Sequence, residues 1–244
     1  MQARFDATGE VLVVTGGANG IGAALAHAYA DAGGTAAVFD VVPGPPHPSG
    51  RVHDYQVDVA DRGAVLAAVA QVQAEHGQVD ALVAGAAVQP RCDVVDMDPE
   101  QWRRTLAVNL DGVVWCAQAV LPGMIARRAG TILVFASGLA TAGRAQASAY
   151  AASKGALIAF AKSLAAEVAE HRVRVNTVFP GVIDTPQFRQ ANPSGGEREH
   201  WARATGIGDP VDVVGPLMFL LSPAATMTGS TLTRDRAYPK SEAK

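Results

Sequence analysis

Short apolar runs alternate with helix-forming stretches along nearly the whole chain, and this alternation restricts the fold more than any other feature. Strand-like runs stand at Val11–Thr15, Thr35–Asp40, Val52–Val59, Ala81–Ala84, Thr131–Ala136 and Val173–Phe179. Helical stretches separate most of them, at Ile21–Ala32, Arg62–His76, Pro99–Arg128 and Ala149–Glu170. Strand and helix in alternation predict an α/β fold with a doubly wound parallel sheet, wrapped by helices on both faces. A last helix, Val211–Leu221, and a short strand around Ser230–Thr233 would close the sheet. No internal repeat or low-complexity linker divides the 244 residues, which suit a single domain.

Two connections break the pattern. Between Asp40 and Arg51 lie four prolines and two glycines in ten residues, a composition that forbids a helix. The segment Val182–Gly208 carries Pro186, Pro193, Gly195 and Gly196 among polar residues and reads as a mobile flap. Its Phe188 and Trp201 either cover a ligand on closure or anchor the flap to the body.

The first strand-to-helix turn reads Thr15-Gly16-Gly17-Ala18-Asn19-Gly20-Ile21-Gly22. Glycines there let backbone approach a pyrophosphate, and the amides that open the helix point at its negative charge. The second strand ends on Asp40, and an acidic residue about 20 residues past such a turn suits the ribose hydroxyls of a dinucleotide. The plainer role for Asp40 is a strand-end turn residue. A carboxylate here would repel a 2′-phosphate, and Ala18, Val41 and Val42 supply no cation to offset it, so NAD is expected over NADP.

Tyr150 and Lys154 stand four residues apart in a stretch that reads as helix, so they share one helix face. A fixed ammonium beside a phenol favours phenolate, which would bring tyrosine's pKa of ~10 nearer neutrality and make an acid–base group. Taken alone, the pair equally describes an amphipathic helix with a core tyrosine and a solvated lysine.

Together these residues resemble the short-chain dehydrogenase/reductase family over nearly the whole chain. The glycine turn matches at Gly16, Gly20 and Gly22, the adenine-side acidic residue at Asp58 before Val59, and the helix asparagine at Asn109. The active-site serine matches Ser137, the tyrosine and lysine Tyr150 and Lys154, and the segment after the sixth strand runs Asn176–Gly181, then Thr185-Pro186. The resemblance implies a Rossmann-type fold and alcohol–ketone interconversion. It makes Tyr150 the acid–base, with Ser137 holding the substrate oxygen. Lys154 would lower the phenol's pKa and hold the nicotinamide ribose, and Asn109 would anchor a water in a proton relay. Around the cofactor it places Gly16, Asn19, Gly20, Ile21, Gly22, Asp58, Val59, Ala84 and Gly85, with Pro180, Gly181, Val182 and Thr185 framing the carboxamide and phosphates.

Two segments depart from the family. Ala84-Gly85-Ala86-Ala87 stands where Asn-Asn-Ala-Gly is common, removing hydrogen bonds that tie this strand to its neighbours. Asp235-Arg236-Ala237 stands where an acidic residue and two glycines are usual. Arg144, in the loop between Ser137 and Tyr150, is either an exposed loop arginine or a clasp for a substrate carboxylate. The spacing of Arg144, Ser148, Ala149 and Tyr150, with the helix-free crossover after Asp40, looks like the dihydrodiol-benzoate dehydrogenases of this family. That likeness implies a small, polar cyclic alcohol or ketone, with or without a carboxylate, near Ser137, Arg144, Tyr150 and Phe188. The same residues leave open a dinucleotide-sensing regulator and a dehydratase or epimerase using bound NAD.

A net charge of -3 offers no general attraction for nucleic acid or acidic membranes. Cys92 and Cys116 are the two cysteines, expected to be small buried hydrophobes rather than a disulfide framework. The six histidines show no metal-ligand spacing. Met1–Gly9 lacks a basic segment followed by an apolar one, and no apolar run approaches the ~20 residues of a membrane helix. A cytoplasmic protein is therefore expected. Two helices, Pro99–Arg128 and Ala149–Glu170, are apolar on more than one face, which predicts a homo-oligomer, dimer or tetramer.

Overall fold

Strands β1 (Val11–Thr15), β2 (Thr35–Asp40), β3 (Val52–Gln56), β4 (Ala81–Ala84), β5 (Gly130–Phe135), β6 (Val173–Phe179) and β7 (Thr231–Thr233) form one sheet in a computed structural model that describes residues 4–236. Every pairing is parallel, in the order β3-β2-β1-β4-β5-β6-β7. This is the expected Rossmann-type α/β fold. Strand order reverses between β1 and β4, where such sheets open a ligand crevice beyond their carboxyl ends.

Side chains alternate between the two faces of the sheet. Val11 and Val13 of β1 join one core with Leu82, Ile132 and Val175. Helices α2 (Arg62–His76), α4 (Gly112–Arg127) and α6 (Ser148–Val168), the last preceded by the short α5 (Leu139–Ala142), cover that face. Leu12 and Val14 enter a second core under α1 (Gly20–Asp31) and α9 (Val214–Leu221). With both faces covered, the central strands are apolar throughout, which is what made them visible in the sequence.

The structure changes several boundaries. The third run stops at Gln56, because Asp58 turns the chain: its carboxylate accepts from Ala60 N, and its carbonyl accepts from Asp61 N. The long helix after β4 is continuous from Pro99 to Arg127 but not uniform. It comprises α3 (Pro99–Leu106), one π-helical segment (Ala107–Asp111) and α4. By length and composition these 29 residues meet the requirement for a membrane span, contrary to the sequence expectation. Here Cys116, Ala117, Val120 and Met124 pack them into the core. Val168 ends α6, and Ala169–His171 continue as a 3-10 turn. A 3-10 turn, Pro210–Val213, likewise precedes α9.

No helix joins β2 to β3, as the prolines require. Val182–Gly208 is not an irregular flap: it folds into α7 (Pro186–Ala191) and α8 (Gly195–Ala204). Thr185 caps α7 through Phe188 N, and Ser194 with Glu197 forms a reciprocal capping box on α8. Cys116 is buried as expected, whereas Cys92 is partly exposed. Ala237 of the altered C-terminal segment lies outside the described residues.

Candidate active site

A cleft of about 390 Å³ opens at the carboxyl ends of the strands. Its phosphate-side wall is the glycine turn, with Gly16, Asn19, Gly20, Ile21 and Gly22 all facing in. Gly16 sits at φ +68°, and a Cβ there would lie 2.8 Å from the backbone of Ala86. A Cβ on Gly22 would come within 2.3 Å of the Gly16 carbonyl oxygen. Both positions therefore require glycine, and the bare backbone leaves room for a ligand. Asn19 precedes α1 without a side-chain cap, and no acidic residue occupies the first turn. The opening amides of α1 are thus free for an anion, as a dinucleotide's pyrophosphate needs.

Gly85 closes the β4 side of the cleft. The tie that an asparagine would have made is supplied by Thr15, whose Oγ1 accepts from Gly85 N and Ala86 N, each at 3.1 Å. Pro180, Gly181, Val182 and Thr185 form the opposite rim.

Ser137, Tyr150 and Lys154 stand at the cleft floor. Tyr150 lies in the first turn of α6 and Lys154 one turn later. Lys154 is 2% exposed, and its Nζ donates to Phe135 O at 2.7 Å. Burial pulls its pKa down to about 8. Burial also pushes the Tyr150 phenol up to about 12, opposed by a hydrogen bond with Ser137. Burial therefore outweighs the lowering of Tyr150 that the sequence led one to expect from Lys154. The ammonium sits 5.8 Å from the phenol ring centre and is turned to a backbone carbonyl.

Asn109 is fully buried behind the cleft rather than lining it. The π-helical segment aims its amide at the β4 loop, where Oδ1 accepts from Val88 N and Nδ2 donates to Val88 O. Nδ2 also donates to Ser153 Oγ, which donates to Tyr150 O at 2.7 Å. These direct bonds brace the turn of α6 that carries Tyr150.

Four expected cofactor residues do not line the cleft proper. Ala84 and Val59 are buried in the core, and Val59 packs on Gly112. Asp58 pairs with Arg104 at 2.9 Å, and that contact with the Ala60 amide outweighs desolvation and holds its carboxyl below the usual range. Asp40 ends β2 with Oδ2 accepting from Ala18 N at 3.1 Å and Oδ1 from Val41 N at 2.8 Å. It is a turn residue and also a carboxylate held directly against the glycine turn.

Arg144 and Phe188 do line the cleft. So does Trp201, which ties the flap to the body: its ring lies against Arg144, with Cζ 5.5 Å from the centroid, while its Nε1 donates to Asn192 Oδ1 within the flap. Gln89, Asn192, Thr205 and Arg234 also line it and carried no motif. The readable signal in this region was the Ser194–Glu197 spacing, a capping-box pattern that marks α8.

A family model described as short chain dehydrogenase matches residues 10–195. The chain is 34% identical over 240 residues to the cis-4-hydroxycyclohexanecarboxylate dehydrogenase of Sinomonas cyclohexanicum, covering 93% of this chain and 96% of that protein. It is 35% identical to the D-threitol dehydrogenase of Mycolicibacterium smegmatis, covering 96% and 94% respectively. A gluconate 5-dehydrogenase from Burkholderia cenocepacia, solved in complex with NADP and tartrate, matches with a TM-score of 0.86 and 30% identity. That alignment covers 95% of this chain and 96% of the other. The chain belongs to the short-chain dehydrogenase/reductase family and is an oxidoreductase.

Proposed function

We propose that this chain interconverts a secondary alcohol and a ketone with NAD, using Tyr150 as the acid–base group. The observation that carries the reading is the buried Tyr150 phenol beside Ser137 at the cleft floor, with Lys154 one helical turn behind. A bound nicotinamide dinucleotide supplies the hydride acceptor for oxidation, or the donor for reduction. The glycine turn and the free amides of α1 would hold its pyrophosphate, and Lys154 its nicotinamide ribose. Ser137 Oγ fixes the substrate oxygen. In reduction the ketone carbon takes up hydride while the Tyr150 phenol gives its proton to the oxygen; oxidation reverses both transfers and requires Tyr150 as phenolate. A phenol raised to about 12 is fully protonated at neutral pH, the state that donates to a ketone oxygen.

Asp40, fixed against Ala18, supports NAD over NADP, since a 2′-phosphate beside it meets like charge. Arg144 beside Ser137 and Tyr150 supports a small cyclic alcohol bearing a carboxylate. The hydroxycyclohexanecarboxylate dehydrogenase among the relatives points to the same substrate class. The partly exposed apolar faces of α4 and α6 support a homo-oligomer.

The test follows formation of reduced cofactor with NAD and with NADP, offering 4-hydroxycyclohexanecarboxylate and its uncharged carboxamide. Faster turnover of the acid, preference for NAD, and a narrowed cofactor gap in Asp40→Asn are expected. Preference for NADP would remove Asp40 from the ribose site, and silence with every alcohol tried would refute the dehydrogenase reading.

A further inference from the structure

At the substrate end of the cleft three charged side chains from three separate segments meet. Arg91 lies in the loop after β4, Arg144 between β5 and α6, and Glu197 in the first turn of α8. Both guanidiniums bond one oxygen, Glu197 Oε1: Arg144 through Nη2 at 3.2 Å and Arg91 through Nη1 in a closer contact. The other oxygen, Oε2, caps α8 by accepting from Ser194.

The two arginines differ in what else they do. Arg91 is committed to the protein, with Nη2 donating to Gln146 Oε1 at 2.9 Å and Nη1 also reaching Ala191 O. It does not line the cleft. Arg144 does, and the one hydrogen bond of its guanidinium among the described residues is the longer one to Glu197. Its side chain keeps 16% exposure, and Trp201 supports its flat face. Two guanidiniums against one carboxylate leave a positive charge unmatched, and the cleft side of Arg144 is where it is accessible.

We propose that Arg91 sets the preference for carboxylate substrates without touching them, by taking up the charge of Glu197 so that Arg144 keeps a net positive charge for a substrate anion. The inference rests on the reading of Arg144 as the anion site. Without Arg91, Glu197 and Arg144 would neutralise each other, and an incoming carboxylate would meet a neutral ion pair instead of a net cation. Arg91 is thus a positioning residue that acts through Glu197.

The experiment reads kcat/KM for 4-hydroxycyclohexanecarboxylate relative to its carboxamide within each variant, so that losses common to both substrates cancel. Arg91→Met should lower this acid-to-amide ratio roughly tenfold or more, the scale of one charge-assisted hydrogen bond. Adding Glu197→Gln to Arg91→Met should restore it, and Glu197→Gln alone should raise it above wild type. A wild-type ratio in Arg91→Met, no recovery in the double variant, or an unraised ratio in Glu197→Gln overturns the proposal. Arg144→Ala separates the two levels. If it loses the acid preference while Arg91→Met keeps it, the anion site stands and the role of Arg91 falls. Equal effects of Arg144→Ala on acid and amide remove the anion site itself, and this proposal with it.

Discussion

Tyr150 and Lys154 share a face of α6, and burial moves their proton affinities in opposite directions, up to about 12 and down to about 8. Each shift disfavours the charged form, as desolvation does. Lys154 also carries a stability consequence with a definite sign. Its folded value of about 8 lies below the ordinary lysine value of 10.5, so between these limits the unfolded chain binds more protons. Stability must therefore rise with pH across that window, and the burial penalty is fully present below it. The penalty amounts to about 3 kcal/mol at pH 7, taking roughly 1.4 kcal/mol for each pH unit. Denaturant unfolding of wild type and Lys154→Met at pH 7 and pH 10.5 should show the wild type gaining on the variant by about that amount. A stability difference that stays constant with pH would show that Lys154 is not held as a desolvated ammonium.

At the scale of elements, legibility followed burial. Central strands such as β1 and β4 were readable because both faces are covered and no polar residue interrupts them. The prolines after Asp40 correctly excluded a crossover helix. The run Val52–Val59 was read too long because Val57 and Val59 are buried without belonging to the ladder; apolar pattern reports burial, not strand pairing. Helices α7 and α8 were hidden by Pro186, Gly195 and Gly196, although proline is favoured at a helix's first position and these glycines fall in a capped first turn. The proposed set of Ser137, Tyr150 and Lys154 was legible because its parts lie in one helix and just beyond the strand end before it. The Arg91–Glu197 pair was not, since 106 residues separate partners that only the folded sheet and flap bring together. Nor could spacing show that Asn109 braces Tyr150 through Ser153, because that link depends on the π-helical segment.

Over the whole molecule, parallel pairing aligns the chemistry at one end of the sheet. Thr15 pairs with Phe39 and Ala84, and Phe135 with Val178, so the glycine turn, Gly85 and Ser137 all emerge on the same side. The opposite requirement falls on the covering helices. Val114, Trp115 and Leu121 on α4, with Ala156, Ile158 and Phe160 on α6, remain partly exposed. Two neighbouring helices with such faces are proposed to meet their counterparts in a second copy, giving a dimer or tetramer. Sedimentation at micromolar concentration should give a multiple of the 25.2 kDa chain mass. A species of single-chain mass would leave these faces without the proposed partner.

The central claim is that one buried phenol moves the proton in every turnover. Tyr150→Phe keeps the ring and its packing and removes only the hydroxyl. Turnover in the variant, measured with saturating NAD and alcohol, should fall by at least ~10²-fold, the lower range for a positioned acid–base group. NAD affinity measured by titration should stay within a few-fold of wild type. A variant that turns over at near wild-type rate would contradict the account.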